Sequence, residues 1–438
     1  IKQAGNRSNS ILRLSIKKPC YNSYPRRGLT RRRRKSYVID RLSWRQATTD
    51  NLCGKNLKTT SSLNDQMLRL GCISSMLLFG CAAFAGVGQD DGDMAAAADD
   101  AAAIYVDSSH VPGFAPATAA EAFRSNYSEA KAGTFLDDIA LRWTEHNKCG
   151  TCHTNIAQLM ARPLTIAGNT NSYVETVRYS LLAFADETRQ GDDELKTFLL
   201  APIAGALAIN DGISGQTLDP QVAELLDYMW TVQDAGGGWS YTTEEELVPF
   251  LEQNPYYTSL LVGVGLGYVN DRYQQSPLRR EGINRLVDFL RHNMPTNLHE
   301  RAVLLWGSAR TPGLLTDAAR RSIRNDLLKA QNADGGWTLP AMGDWQRLNG
   351  ALDGAPNDPN GPSDGYATGL ATLALCQKPK ASDGNAIVGG LNWLKTHQRI
   401  SGRWFTRSLY SDRAHNYLSN MATAYALMAI RDCNVNGR

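Results

Sequence analysis

The feature that most restricts this chain is a spacing that occurs three times. Leu225-Leu226-Asp227-Tyr228-Met229-Trp230 leads into Gln233 and then Gly236-Gly237-Gly238-Trp239. Ile323, Leu327 and Leu328 lead into Gln331 and Gly335-Gly336-Trp337. Leu391, Trp393 and Leu394 lead into Gln398 and Gly402-Arg403-Trp404. Gln and Trp stand six residues apart in all three. A second apolar helix rich in small residues follows each turn, at 257–269, 366–376 and 417–430. A weaker copy runs through 283–290 and 301–307. A Gln at a helix C-terminus can reach backbone at a neighbouring turn, and Gly relieves the left-handed position where the helix stops. Trp fills the gap between hairpins and has one N–H to satisfy. A hairpin that buries only one side cannot stand alone, so these units must stack. Most of the information in these residues therefore concerns packing.

This pattern resembles the QW motif of squalene–hopene and oxidosqualene cyclases, within the wider prenyltransferase and squalene-oxidase repeat superfamily. The resemblance covers roughly residues 135–432. It implies an all-α fold, an α/α toroid of helical hairpins with an inner ring, an outer ring and a central cavity. An apolar or isoprenoid ligand in that cavity is part of what the resemblance implies.

The first repeat departs from the others. Leu141 and Trp143 align with Leu391 and Trp393, which puts Lys148 on Gln398, Cys152 on Gly402 and Thr154 on Trp404. Lys148-Cys149-Gly150-Thr151-Cys152-His153 reads C-x-x-C-H, the attachment signature of a c-type haem. Two thiols must add to two vinyl groups on one edge of a porphyrin, and the following histidine then lies under the iron. Cys149 and Cys152 are thus the cofactor-binding residues and His153 the metal ligand. A turn running into a helix near Ile156 is the usual setting for the signature. His146, Met229 and Met294 are the candidates for the second axial position. The competing readings of the same pair are a Cys149–Cys152 disulfide and half of a zinc site.

The chemistry of the cyclases is missing. They protonate an alkene with the middle Asp of D-x-D-D, and the chain has no such motif. The nearest candidate for a catalytic acid is Asp364 in Pro362-Ser363-Asp364-Gly365-Tyr366, where a helix N-cap is the plainer role. Asp137-Asp138 and Asp192-Asp193 lack the later Asp of a D-D-x-x-D metal motif. A zinc set of the protein-prenyltransferase kind would have to use Asp364, Cys376 and His415. Cys376 is otherwise a buried thiol or a partner for Cys433. His292, His299 and His397 fall near helix ends, where surface or capping roles are expected.

Charge and processing signals bear on location. Residues 1–85 carry 17 Lys+Arg against 3 Asp, and the remainder 29 Lys+Arg against 40 Asp+Glu, so the body is acidic and no nucleic-acid partner is expected. Residues 1–66 are read as a basic extension, either non-native or disordered, before Met67. Residues 67–85 read as a signal peptide, with Arg69, an apolar run from Leu70 to Phe79 and the cleavage site Ala83-Phe84-Ala85. Leu78-Phe79-Gly80-Cys81 also resembles a lipobox, and a membrane anchor is expected only if Cys81 is lipidated. Residues 86–120 read as an Ala/Asp-rich linker, and 121–438 as the toroid domain carrying C-x-x-C-H in its first repeat. A secreted or periplasmic protein with one covalent haem, an electron-transfer role and a redox partner protein is the resulting expectation. The alternatives are a terpenoid cyclase acting on a polyprenyl substrate and a non-catalytic binding toroid. Mature protein is expected to begin at Gly86 or at acylated Cys81. Intact-mass analysis of exported protein checks this, and retention of residues 1–66 would refute it.

Overall fold

The computed structural model describes residues 115–147, 152–164, 172–190, 194–215, 217–239, 255–269, 273–343, 357–407, 409 and 416–435. The chain divides into two units, Ile1–Ser74 and Ser75–Arg438. The first unit lies outside the described residues, as do the basic extension, the signal segment and the linker up to residue 114.

The described part is all-α. Its helices are α1 (Glu129–Asn147), α2 (Ala157–Ala161), α3 (Ser172–Arg189), α4 (Glu194–Ile213), α5 (Pro220–Thr231), α6 (Pro255–Leu266), α7 (Pro277–His292), α8 (Leu298–Ser308), α9 (Asp317–Lys329), α10 (Gly365–Cys376), α11 (Gly384–Thr396) and α12 (Asn416–Val435). Among the described residues the only β pairing is an isolated bridge between Phe123 and Arg399.

Two kinds of helix alternate. The odd-numbered ones bury a single stripe, such as Val222, Leu225, Leu226, Met229 and Trp230 in α5, or Gly282, Leu286 and Leu290 in α7. The even-numbered ones are buried almost all round; every residue of α10 is inside. That contrast follows from composition, because α10 is made of Gly, Ala, Leu and Thr with one Tyr, one Cys and no charge, whereas α9 holds three Arg and two Asp. Each even-numbered helix packs on the next, from α2 and α4 through to α10 and α12, and α12 packs again on α2. Asp219, Ser276, Asn297 and Thr316 cap the N-termini of α5, α7, α8 and α9 with side-chain oxygens.

The three Gln–Trp turns are superimposable in their bonding. Gln233 Nε2 donates to Gly237 O at 2.7 Å and to Gly282 O of α7 at 3.0 Å. Gln331 Nε2 donates to Gly335 O at 2.8 Å and to Ala386 O of α11 at 2.9 Å. Gln398 Nε2 donates to Gly402 O at 2.9 Å and to Ser128 O, just before α1, at 2.9 Å. Each carboxamide therefore ties its own turn to the next odd-numbered helix. Trp239, Trp337 and Trp404 donate their indole N–H to the carbonyls of Met229, Leu327 and Leu394, each ten residues earlier. Their backbone N–H groups go to the hydroxyls of Ser259, Thr368 and Thr423 on the even-numbered helix that follows.

The last turn bonds to the start of the described chain. Arg403 Nη1 donates to Ala115 O and Nη2 to Pro116 O, both at 3.0 Å, and Arg403 pairs with Glu121. Residues 115–120, placed by composition in the linker, are thus a strap held against the third turn. Cys376 at the end of α10 and Cys433 in α12 form a disulfide with Cα atoms 5.4 Å apart.

The turns need glycine for two reasons at once. Gly402 has φ +101°, and a Cβ there would lie 2.3 Å from Lys131 O. Gly236, next to the equivalent position in the first turn, has open space around it and no positive φ. Gly402→Ala is expected to cost more than about 2 kcal/mol of unfolding free energy and Gly236→Ala less than about 1 kcal/mol. Urea unfolding followed by circular dichroism checks the ordering; equal costs would remove the close approach as the reason for glycine.

Candidate functional site

The C-x-x-C-H segment straddles the edge of what is described. Cys149 lies outside the described residues. Cys152 and His153 open a short π-helix, Cys152–Ile156, that runs directly into α2. From Cys152 onward the backbone is helical, while the turn expected before it lies outside the described residues.

Around this element the buried polar groups form a clamp. Arg162 donates to Asp137 of α1 through Nε and Nη2, both at 2.8 Å, and the two side chains are 4% and 6% exposed. Gln158 Nε2 also donates to Asp137 Oδ1, at 2.8 Å. A bidentate, buried pair of this kind is shape-specific, and removing one partner strands the other charge. Asn155 Nδ2 reaches Thr144 Oγ1 at 2.8 Å, and Asn210 of α4 donates to Leu159 O at 2.8 Å. Thr154 Oγ1 is buried and has no hydrogen-bond partner among the described residues. Asp137, one of the carboxylates weighed for a metal motif, is therefore committed to α2. Asp192 and Asp193 lie outside the described residues.

The axial-ligand candidates separate. Met229 is fully buried in α5, beneath the Trp239 indole that bonds its carbonyl. Met294 is 39% exposed in the turn after α7. Neither α5 nor α7 is among the main neighbours of the π-helix and α2, which are α1, α3, α4 and α12. The side chain of His146, in the last turn of α1, lies outside what is described.

Asp364 is the N-cap of α10, as its position before the helix suggests. Oδ1 accepts from Ala367 N at 3.0 Å and from Thr406 Oγ1 at 3.1 Å, and Oδ2 accepts from Leu339 N. One carboxyl therefore joins α10 to the ends of the second and third turns. Burial pushes its pKa up, to about 6, against the opposing pull of these hydrogen bonds.

No protein-family model matches the chain, and no curated protein does. Among solved structures it is similar to the crystal structure of a protein from Actinoplanes. That likeness has a TM-score of 0.41 and 14% identity, and covers 70% of this chain and 100% of the other.

One alternative falls and one expectation needs correction. The zinc set is not assembled, since Cys376 is in a disulfide and sits at the opposite end of α10 from Asp364, about 18 Å away along a helix of that length. His415, its third member, lies outside the described residues. His299 is not at the surface. It is fully buried with Nε2 2.9 Å from Tyr366 Oη, and burial drives its pKa down to about 3. His292 and His397 do take the capping roles expected, with Nδ1 on Asp288 O and Trp393 O. The Ser259, Thr368 and Thr423 hydroxyls went unnoticed in the sequence because they lie 20, 31 and 19 residues beyond their Trp partners.

The raised pKa of Asp364 fixes the sign of a pH effect. The folded state holds this proton more tightly than the unfolded chain, whose Asp has the ordinary value of 3.8. Stability from this group is therefore present below about 4 and lost as pH rises to about 6, by on the order of 3 kcal/mol. Relative to Asp364→Asn, the wild-type protein is expected to gain stability as pH falls through that window. Urea midpoints at pH 4, 5, 6 and 7 measure it, and a wild-type protein that loses ground on acidification would show the carboxylate to be held ionised.

Proposed function

We propose that this chain is an exported α/α-toroid protein that carries one covalently attached c-type haem and transfers electrons to a redox partner protein. The observation that carries the proposal is C-x-x-C-H at the mouth of a helix, with Cys152 and His153 opening the π-helix that leads into α2. In this reading Cys149 and Cys152 hold the porphyrin through thioethers, and His153 holds the iron. The donor set suits the group: two thiols and an imidazole within five residues, with the Thr154 hydroxyl, which has no partner among the described residues, next to them. When bound, the haem supplies a reversible one-electron couple. The chain's own part is to fix the attachment turn. The Asp137–Arg162 pair, with Gln158, locks α2 against α1, so the residues that carry the group cannot drift when its charge changes.

The toroid has three supports. The Gln–Gly–Trp spacing resembles the QW motif. The even-numbered helices contact one another in sequence order and return from α12 to α2. Gln398 joins the last turn to Ser128 as the earlier Gln residues join theirs to the next helix. Export has a support beyond the signal sequence in the Cys376–Cys433 disulfide, a bond typical of oxidising compartments.

The cyclase reading keeps one favourable observation, a buried acid of raised pKa at Asp364. Against it, that carboxyl accepts from two backbone N–H groups and a hydroxyl, and no second Asp accompanies it in a D-x-D-D run. An isoprenoid ligand remains tied to that reading. A binding toroid with a Cys149–Cys152 disulfide is the outcome if no haem is attached.

Expression with a c-type haem maturation system, followed by a haem-stained denaturing gel and a pyridine haemochrome spectrum, tests the proposal. Covalent haem is expected in the wild type and none in the Cys149→Ser/Cys152→Ser double variant. His153→Ala should keep the thioethers but change the spectrum and shift the potential. Exported protein with no covalent haem and a Cys149–Cys152 disulfide by mass would refute it.

A further inference from the structure

A second site lies apart from the haem segment, between the strap and the second and third Gln–Trp turns. It is a cleft of about 410 Å³, within the range of roughly 300–1,000 Å³ common for small-molecule sites. The strap contributes Ala119, the segment between the strap and α1 Phe123, the third turn Arg399 and Phe405, α11 Trp393, the residue after α11 His397, and the segment before α10 Asp358 and Asp364.

Its aromatic wall is rigid. His397 stacks on Trp393 with ring centres 4.1 Å apart and planes 3° from parallel. Phe123 meets His397 edge-on at 5.0 Å, and the Arg399 guanidinium sits 4.1 Å over the Phe123 ring. Phe123 is still 49% exposed, so a fixed aromatic surface is left in solvent. An exposed phenyl ring held by a cation and an imidazole is a ready platform for a flat apolar face.

The polar wall has no dominant charge. Asp334, Asp358 and Asp364 face Arg399 and Arg407 across the cleft lining. Two of the carboxylates are engaged internally: Asp334 by the Trp393 indole at 3.0 Å and the Ser363 hydroxyl at 2.7 Å, and Asp364 by its capping bonds. With three carboxylates and two guanidiniums in the lining, charges of both signs are mixed, and a multiply charged ligand of either sign meets like charge here. The Trp393 carbonyl can only accept, so His397 carries its proton on Nδ1 and offers Nε2 as an acceptor when neutral. Asn357 and Thr338 add a carboxamide and a hydroxyl to the lining. A lining of carboxylate, imidazole and hydroxyl acceptors with guanidinium and carboxamide donors, beside a half-exposed aromatic ring, matches a ligand with many hydroxyls and a C–H face. An isoprenoid has no groups for the polar side, and desolvating the polar side without partners is costly.

We propose that this cleft binds a neutral carbohydrate of about disaccharide size, stacked on Phe123 and hydrogen-bonded by the lining opposite. The site is independent of the haem reading and stands or falls without it. The probes are cellobiose, maltose and N,N′-diacetylchitobiose, with a glucuronic-acid disaccharide and farnesol as contrasts, read by saturation-transfer NMR and calorimetry on the full chain. Saturable binding of at least one neutral sugar is expected, weakened tenfold or more by Phe123→Ala and retained by Phe123→Trp. Circular dichroism confirms that both variants fold; because Phe123 is half-exposed and lies outside the helices, neither should disturb them. Binding of none of the neutral sugars, equal affinity in Phe123→Ala, or tighter binding of the uronic acid or farnesol would each overturn the proposal.

Discussion

One side chain, used three times, sets the rest of this structure: the carboxamide of Gln233, Gln331 and Gln398. Its nitrogen has two protons, and each is given to a different carbonyl, one in its own turn and one at the start of another hairpin. Each such bond contributes about 1 kcal/mol net, but leaving a buried carbonyl unmet costs more. The bonds also fix distance. A carbonyl in the neighbouring hairpin can be reached only if the turn lies against it, and that closeness leaves no room for a Cβ. Gly237 and Gly402 show the consequence, each with a neighbouring backbone oxygen 2.3 Å from where a side chain would begin. The Trp indole then covers the bonds and spends its own N–H ten residues back. Gln, Gly and Trp are therefore one device, and replacing any of them disables the other two.

The first hairpin solves the same problem with different chemistry. Lys148, Cys152 and Thr154 occupy the positions of Gln, Gly and Trp. Between α1 and α2 the tie is electrostatic instead, the buried Arg162–Asp137 pair with Gln158 on the same carboxylate. That clamp works within one hairpin, whereas the Gln bonds reach from one hairpin to the next. Residues 148–151 of that turn lie outside the described residues, and the haem proposed there rests on the C-x-x-C-H spacing and on the helix that Cys152 opens.

What could be read from the sequence was what repeats at fixed local distance. The all-α class, the turn positions and the N-cap at Asp364 all follow from short spacings. The α3–α4 hairpin left no such trace. It has no Gln–Gly–Trp turn, and its fixing pair, Arg178 with Asp211, joins residues from two different helices. The strap at 115–120 was hidden for a similar reason. Its Ala-rich composition resembles a linker, while what holds it is its backbone carbonyls, bonded by Arg399 and Arg403. His299 was misread because a histidine near a helix end is ordinarily wet, and only the partner ring of Tyr366, 67 residues away, accounts for its burial. The Cys376–Cys433 pairing likewise depends on α10 and α12 lying side by side, which spacing alone cannot supply.

The buried aromatic cluster decides where chemistry can occur. Tyr257 of α6, His299 of α8, Tyr366 of α10 and Tyr425 of α12 are all inside the protein, with successive ring centres 5.2–5.6 Å apart. The Tyr257 and Tyr425 hydroxyls lie 3.2 Å from each other across 168 residues of chain, and Tyr366 bonds His299. Four helices thus meet through polar contacts that satisfy one another in a low-dielectric interior, where such networks are strong and costly to open. A polyprenyl chain placed among these rings would have to part the Tyr257–Tyr425 pair and leave hydroxyls facing hydrocarbon. His299, kept neutral by burial, offers no charge to compensate for that. The cluster therefore holds α6, α8, α10 and α12 together, and the cleft beside the strap lies away from it, at the turns that follow the odd-numbered helices.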